Sequence, residues 1–130
     1  MKQYQNQVVD TATPGMITVM LFEEIIKNIN IALKAIDEQN VQNSHDAIMK
    51  AENIYLTLQN FLDERFEISK NLSSLYGYMS SRLVEANMKK DKEILQEIMD
   101  FTVEFRDTWR QAERRARLEQ TNGKAVYGKQ

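Results

Sequence analysis

The stretch "TPGMITVMLFEEIIKNINIALKAIDE" (Thr13–Glu38) sets the fold. Thr13 offers a hydroxyl that can cap a first helical turn, and Pro14 stands at the first helical position, where its missing N–H is no loss. From there to about Glu38 the apolar residues keep a helical period. At 100° per residue, Ile17, Leu21, Ile25, Asn28, Ala32 and Ile36 share one stripe, and Val19, Phe22, Ile26, Ile29 and Leu33 form a second. The apolar arc covers more than half the circumference, wider than one core-facing stripe requires. Either this helix sits centrally in a bundle, or one stripe faces the core and the other a partner.

The remainder repeats the pattern three times. "EQNVQNS" interrupts it, and Asn43 or Ser44 can cap a second helix whose face is Ala47, Ile48, Ala51, Ile54, Tyr55, Leu58, Phe61 and Leu62. The polar "DERFE" separates a third, striped by Ile68, Leu72, Leu75, Tyr76, Met79, Leu83 and Ala86. After "NMKKD", Asp91 can cap a fourth, which carries Leu95, Ile98, Thr102, Phe105, Trp109, Ala112 and Ala116. Four amphipathic helices on short links predict an all-α fold, an antiparallel up-down four-helix bundle. Residues 1–13 read as an N-terminal arm, 14–119 as the bundle, and 120–130, with two glycines and no periodicity, as a mobile tail.

Composition agrees and narrows the function. With 130 residues the chain fits one domain, and a single Pro with four Gly favours long helices over a turn-rich β fold. A net charge of −2 with interspersed signs predicts no nucleic-acid partner. There is no cysteine, hence no disulfide framework or thiol nucleophile. No secretory leader and no membrane-length apolar run are visible, which predicts a cytoplasmic (cytosolic) protein without membrane insertion.

Carboxylates and the one histidine give no catalytic or metal constellation. His45 has Gln42 three residues before it, where a bundle metal site would want Glu. Glu23 and Glu24 diverge by 100°, and Asp63, Glu64 and Glu67 fall at a helix end. No phosphate loop, nucleophile elbow or zinc-helix motif occurs. The sequence therefore predicts no enzyme, no cofactor and no metal. Arg110, Arg114, Arg115 and Arg117 read either as a solvated helix end or as a docking surface for an acidic partner. Of seven methionines, Met20 and Met79 lie beside surplus apolar stripes and lean towards binding, since methionine adapts its shape. Gly77, between Tyr76 and Tyr78, costs a helix interior about 1 kcal/mol relative to Ala. Either a neighbouring backbone approaches there, or the position is exposed and indifferent.

Four blocks, "YQNQVVDTATPGMITVML", "AENIYLTLQNFLDE", "NLSSLYGYMSSRLVEAN" and "FRDTWRQA", occur in an order that resembles the flagellin-specific export chaperone family, FliS. The likeness covers about Tyr4 to Ala112. Two departures stand out: Arg65-Phe66 replaces a Gly pair or similar loop, and Gly77 takes a place where Asp is frequent. The resemblance implies a non-enzymatic chaperone that holds the C-terminal segment of flagellin in the cytoplasm. It would prevent premature polymerisation and hand flagellin to the cytoplasmic domain of the flagellar export gate, and a regulatory protein is a further implied partner. Carried onto this sequence, the flagellin-binding residues are Leu21, Ile25, Tyr55, Leu58, Leu72, Leu75, Tyr76, Met79, Leu83 and Asn87. Tyr4 and Val8 become anchors of the arm and of gate docking. Phe105 and Trp109 are assigned to the core, and Arg106 and Asp107 to a surface pair. Every apolar site also satisfies a core position, because both roles share one periodicity. The competing reading is a regulatory bundle that binds a folded partner such as an anti-sigma factor or a translation regulator.

Overall fold

The computed structural model describes the backbone of residues 13–128 and the side chains of residues 13–121. The arm residues Tyr4 and Val8 lie outside the described residues. Four helices make up the fold: α1 (Pro14–Asp37), α2 (Val41–Asn60), α3 (Glu67–Lys89) and α4 (Lys92–Gly128). Each packs on its neighbours in chain order, and α4 closes the ring against α1, giving an up-down bundle; the α3–α4 seam is much the thinnest of the four.

Helix starts follow local chemistry. Thr13 accepts from Met16 N (3.2 Å) with Pro14 behind it, as the sequence predicts. Asp91 Oδ1 accepts from Glu93 N (2.9 Å) and Ile94 N (3.2 Å), also as predicted. The second helix starts earlier than expected: Asn40, not Asn43 or Ser44, is its cap, accepting from Asn43 N (3.0 Å). Ser44 is instead buried, its hydroxyl turned back to Val41 O (2.8 Å).

The α1–α2 and α3–α4 reversals share one design. Gln39 (φ 58°) and Lys90 (φ 51°) take the left-handed position that usually goes to glycine. The next amide reaches back five residues, Asn40 N to Ala35 O (2.8 Å) and Asp91 N to Ala86 O (3.1 Å), and that same residue caps the following helix. A Lys92–Asp37 ion pair (2.6 Å) ties the two reversals together.

Phe22, Ile25, Ile29, Ile48, Tyr55, Met79, Leu83, Leu95 and Ile98 fill the centre. The Tyr55 hydroxyl meets Thr102 Oγ1, which bonds Ile98 O (2.7 Å), so both buried hydroxyls are satisfied. Burial pushes the Tyr55 phenol well above its usual value, against the smaller opposing effect of its hydrogen bond with Thr102.

At the far end the sequence overreaches. Phe61 falls outside α2 and is 70 % exposed, and Ile68 in the first turn of α3 is 66 % exposed. Ala112 and Ala116 are also exposed. Their periodicity is helical, but α1 begins opposite Glu113, so Ala112 stands only at the level of the α1 start and Ala116 lies beyond it, where α4 has no α1 to pack against. Helical backbone continues to Gly128, past the boundary drawn at Glu119.

Candidate functional site: the α3–α4 seam

The thin seam has two unlike halves. Near the reversals it is closed by polar bonds. Arg82 Nη2 donates to Glu97 Oε2 (2.9 Å), its Nη1 to Glu85 Oε2 (2.7 Å), and the Tyr78 hydroxyl to Glu97 Oε1 (3.2 Å). Lys89 adds a bond to Glu85 Oε1 (3.0 Å). The hydrogen bond from Arg82 holds the Glu97 carboxyl below its usual range, and Lys89, then Arg82, do the same for Glu85.

Farther down, the bonds stop and apolar groups take over. Leu75 lies three residues before Tyr78 and seven before Arg82, so it continues their side of α3, and Leu72 follows one turn below. On α4, Phe101 and Phe105 continue the side that begins at Glu97. Aromatic rings run from the core to this opening: Phe22 to Tyr76 (6.2 Å), Tyr76 to Phe105 (6.2 Å), Phe105 to Phe101 (6.3 Å). Phe101 ends the row 37 % exposed, and Leu72 and Leu75 are half-buried. Burial raises the Tyr76 phenol above its usual value. The lower seam thus presents half-buried leucines on α3 and a partly exposed phenylalanine on α4, the latter beside the carboxylates of Glu97, Asp100 and Glu104.

The candidate residues fall into distinct places. Ile25, Tyr55, Leu58, Tyr76, Met79 and Leu83 are buried in the bundle core, so none offers its side chain to a partner in this conformation. Leu72 and Leu75 lie one turn apart on α3, both half-buried against the core. Leu21 is half-buried on α1, away from them. Asn87 sits near the reversals, its Nδ2 3.0 Å from His45 Nδ1 of α2 and its Oδ1 accepting from Lys90 Nζ. Met20 is half-buried on α1, whereas Met79 is core. Phe105 and Trp109 are half-buried against the core, and Arg106 and Asp107 pair at the surface (3.1 Å).

Phe101 was not among the candidates. It flanks the Leu95, Ile98, Thr102, Phe105 stripe and stacks on Phe105, so nothing in the periodicity sets it apart from a core-edge position. Gly77 also resolves differently. What approaches it is a side chain, not a backbone: a Cβ there would come within 3.2 Å of Gln59 Nε2, which donates to Ser73 O (3.0 Å) and Ser73 Oγ (3.1 Å). Among the described residues, no three His, Cys, Asp or Glu side chains group to hold a metal ion, and no helix is long and apolar enough to cross a membrane.

A family model described as "Flagellar protein FliS" matches residues 1–116. The chain belongs to the FliS family. Among curated relatives, this FliS protein is 38 % identical over 109 residues to the flagellar secretion chaperone FliS of Bacillus subtilis, covering 84 % of this chain and 82 % of the relative. It is 30 % identical over 115 residues to the flagellar secretion chaperone FliSB of Pseudomonas aeruginosa, covering 84 % and 91 %. With the flagellar secretion chaperone FliS of Salmonella typhimurium it shares 29 % over 114 residues, covering 85 % and 84 %.

Proposed function

We propose that this FliS protein is a flagellar secretion chaperone that captures the C-terminal segment of flagellin in the lower α3–α4 seam. The observation that carries the reading is the partial exposure of Leu72 and Leu75 on α3 and of Phe101 on α4, with Phe101 ending a row of aromatic rings that runs out of the core. An unfolded segment loses conformational freedom on binding, and a surface that is already formed keeps the total cost down. An amphipathic helix or extended stretch laid there meets apolar anchors at i, i+3 or i+4 spacing.

Leu21 and Asn87 belong to other faces of the bundle. A cargo that also uses them wraps round the molecule instead of lying in one seam. Covering flagellin's apolar end in the cytosol delays polymerisation, and release at the export gate, with Tyr4 and Val8 of the arm as docking anchors, completes the cycle. No bond is made or broken, so the chaperone needs no catalytic group.

Isothermal titration with the C-terminal segment of the same organism's flagellin tests the reading. The expected result is one-to-one binding with a negative heat-capacity change, weakened at least tenfold by Leu75→Ser. Absence of binding to a soluble segment overturns it and favours a regulatory bundle.

A further inference from the structure

A second surface stands apart from the seam, on the opposite flank of α4. Residues 16, 19, 20 and 23 of α1 and residues 110, 113, 114 and 117 of α4 each follow i, i+3, i+4, i+7 spacing, so each set forms one stripe. Between the stripes lies a cleft of about 290 Å³ with Met16, Val19 and Met20 as its apolar floor. That volume is just under the roughly 300–1,000 Å³ of small-molecule sites and suits side chains from a partner.

The charge of the cleft is decided by one carboxylate. Glu113 is drawn to the start of α1: the Thr13 hydroxyl donates to its Oε1 (2.6 Å), and Gly15 packs so closely on it that a Cβ would collide with the carboxylate. An acid at a helix N-terminus is favoured by the exposed N–H groups and the macrodipole. Its contact with Arg117 is long, 4.0 Å. Glu23 is taken by Arg110 (2.7 Å), both side chains about half exposed. Arg114 has no acidic partner among the described residues. Three arginines face two glutamates, so the lining carries one excess positive charge, at Arg114, beside methionines that can reshape themselves around an apolar side chain.

We propose that this cleft docks an acidic amphipathic helix of a partner protein. Its apolar residues settle on Met16 and Met20, and a flanking carboxylate pairs with Arg114, where the planar guanidinium can bind it in bidentate fashion. The site goes beyond cargo capture in the α3–α4 seam and is independent of it.

The test uses the full chain labelled with 13C at the methionine ε-methyl groups. The probe is a synthetic 18-residue helix-forming peptide with leucine at i, i+3, i+4 and i+7 and glutamate on either side; its control has lysine for glutamate. The expected result is a saturable shift of the Met16 and Met20 signals with the Met79 signal unmoved. Affinity should fall at least tenfold with the lysine peptide and with the Arg114→Glu chain, and the lysine peptide should regain binding to that variant. Equal binding of both peptides, or no effect of Arg114→Glu, overturns the proposal. So do the same shifts from a single-stranded oligonucleotide, which would make the cleft a general anion surface. Nuclear Overhauser contacts from Tyr4 or Val8 to the Met16 and Met20 methyl groups in the free chain also overturn it, because the occupant is then the chain's own arm.

Discussion

At one end of the bundle two reversals sit side by side, tied by Lys92–Asp37 and capped by Asn40 and Asp91. At the other end only α2 and α3 are joined, through a link that leaves Phe61 and Phe66 exposed. There α4 runs past Glu113, the level of the α1 start, by fifteen residues, about 22 Å of helix. The seam between α3 and α4 records the same contrast, with the Arg82 clasp towards the capped end and the partly exposed Leu72, Leu75 and Phe101 towards the open one. A capped, polar-tied end gives the bundle its register. The open end leaves large apolar side chains such as Phe61, Phe66 and Ile68 exposed.

The contrast is broken most strongly by comparing two leucines that the sequence treats alike. Leu83→Ala, wholly buried, is expected to lower stability by about 2–5 kcal/mol in urea unfolding while binding by the remaining folded protein is retained. Leu75→Ala, half-buried in the lower seam, is expected to cost only about 1 kcal/mol but to weaken flagellin binding clearly.

Alkali probes the core next. The folded Tyr55 phenol is raised, so the unfolded chain loses that proton first. Stability is full below the ordinary tyrosine value of about 10 and falls as pH rises above it. Each pH unit above that value removes about 1.4 kcal/mol until the folded phenol ionises too. Unfolding midpoints at pH 9 and 11 should show the loss, and Tyr55→Phe should reduce it.

The capped end then gives changes of about 1 kcal/mol of opposite sign. Asp91→Ala removes a cap that serves two amides and should destabilise by about that amount. Gln39→Gly relieves a left-handed backbone and should stabilise by about 1 kcal/mol, visible as a higher melting temperature. Gly77→Ala is expected to change stability least. The helix gains about 1 kcal/mol, but the Gln59 amide must move from its bonds to Ser73. A melting curve close to the parent's, with the Gln59→Ala, Gly77→Ala double variant above Gln59→Ala alone, would identify that opposition.

The bundle was legible because its determinants are local. Thr13-Pro14 and Asp91 cap as read, and the stripes of α1 to α3 keep their period through the core. The Asn40 cap was missed because Asn40, Asn43 and Ser44 offer similar acceptors, and the left-handed Gln39 that selects Asn40 carries no glycine signal. The site was less legible. Ile25, Tyr55, Tyr76 and Met79 share their period with true surface groups, and only burial separates them. Phe101 and the Gln59–Gly77 contact depend on which helix becomes a neighbour, which one strand of periodicity does not encode.

Intermolecular methyl contacts in the complex with the flagellin C-terminal segment test the central claim most directly. Overhauser contacts are expected from the segment to the methyl groups of Leu72 and Leu75, with the Phe101 ring signals shifted. Contacts confined to α1 and α2, with the Leu72, Leu75 and Phe101 signals unmoved, would contradict it.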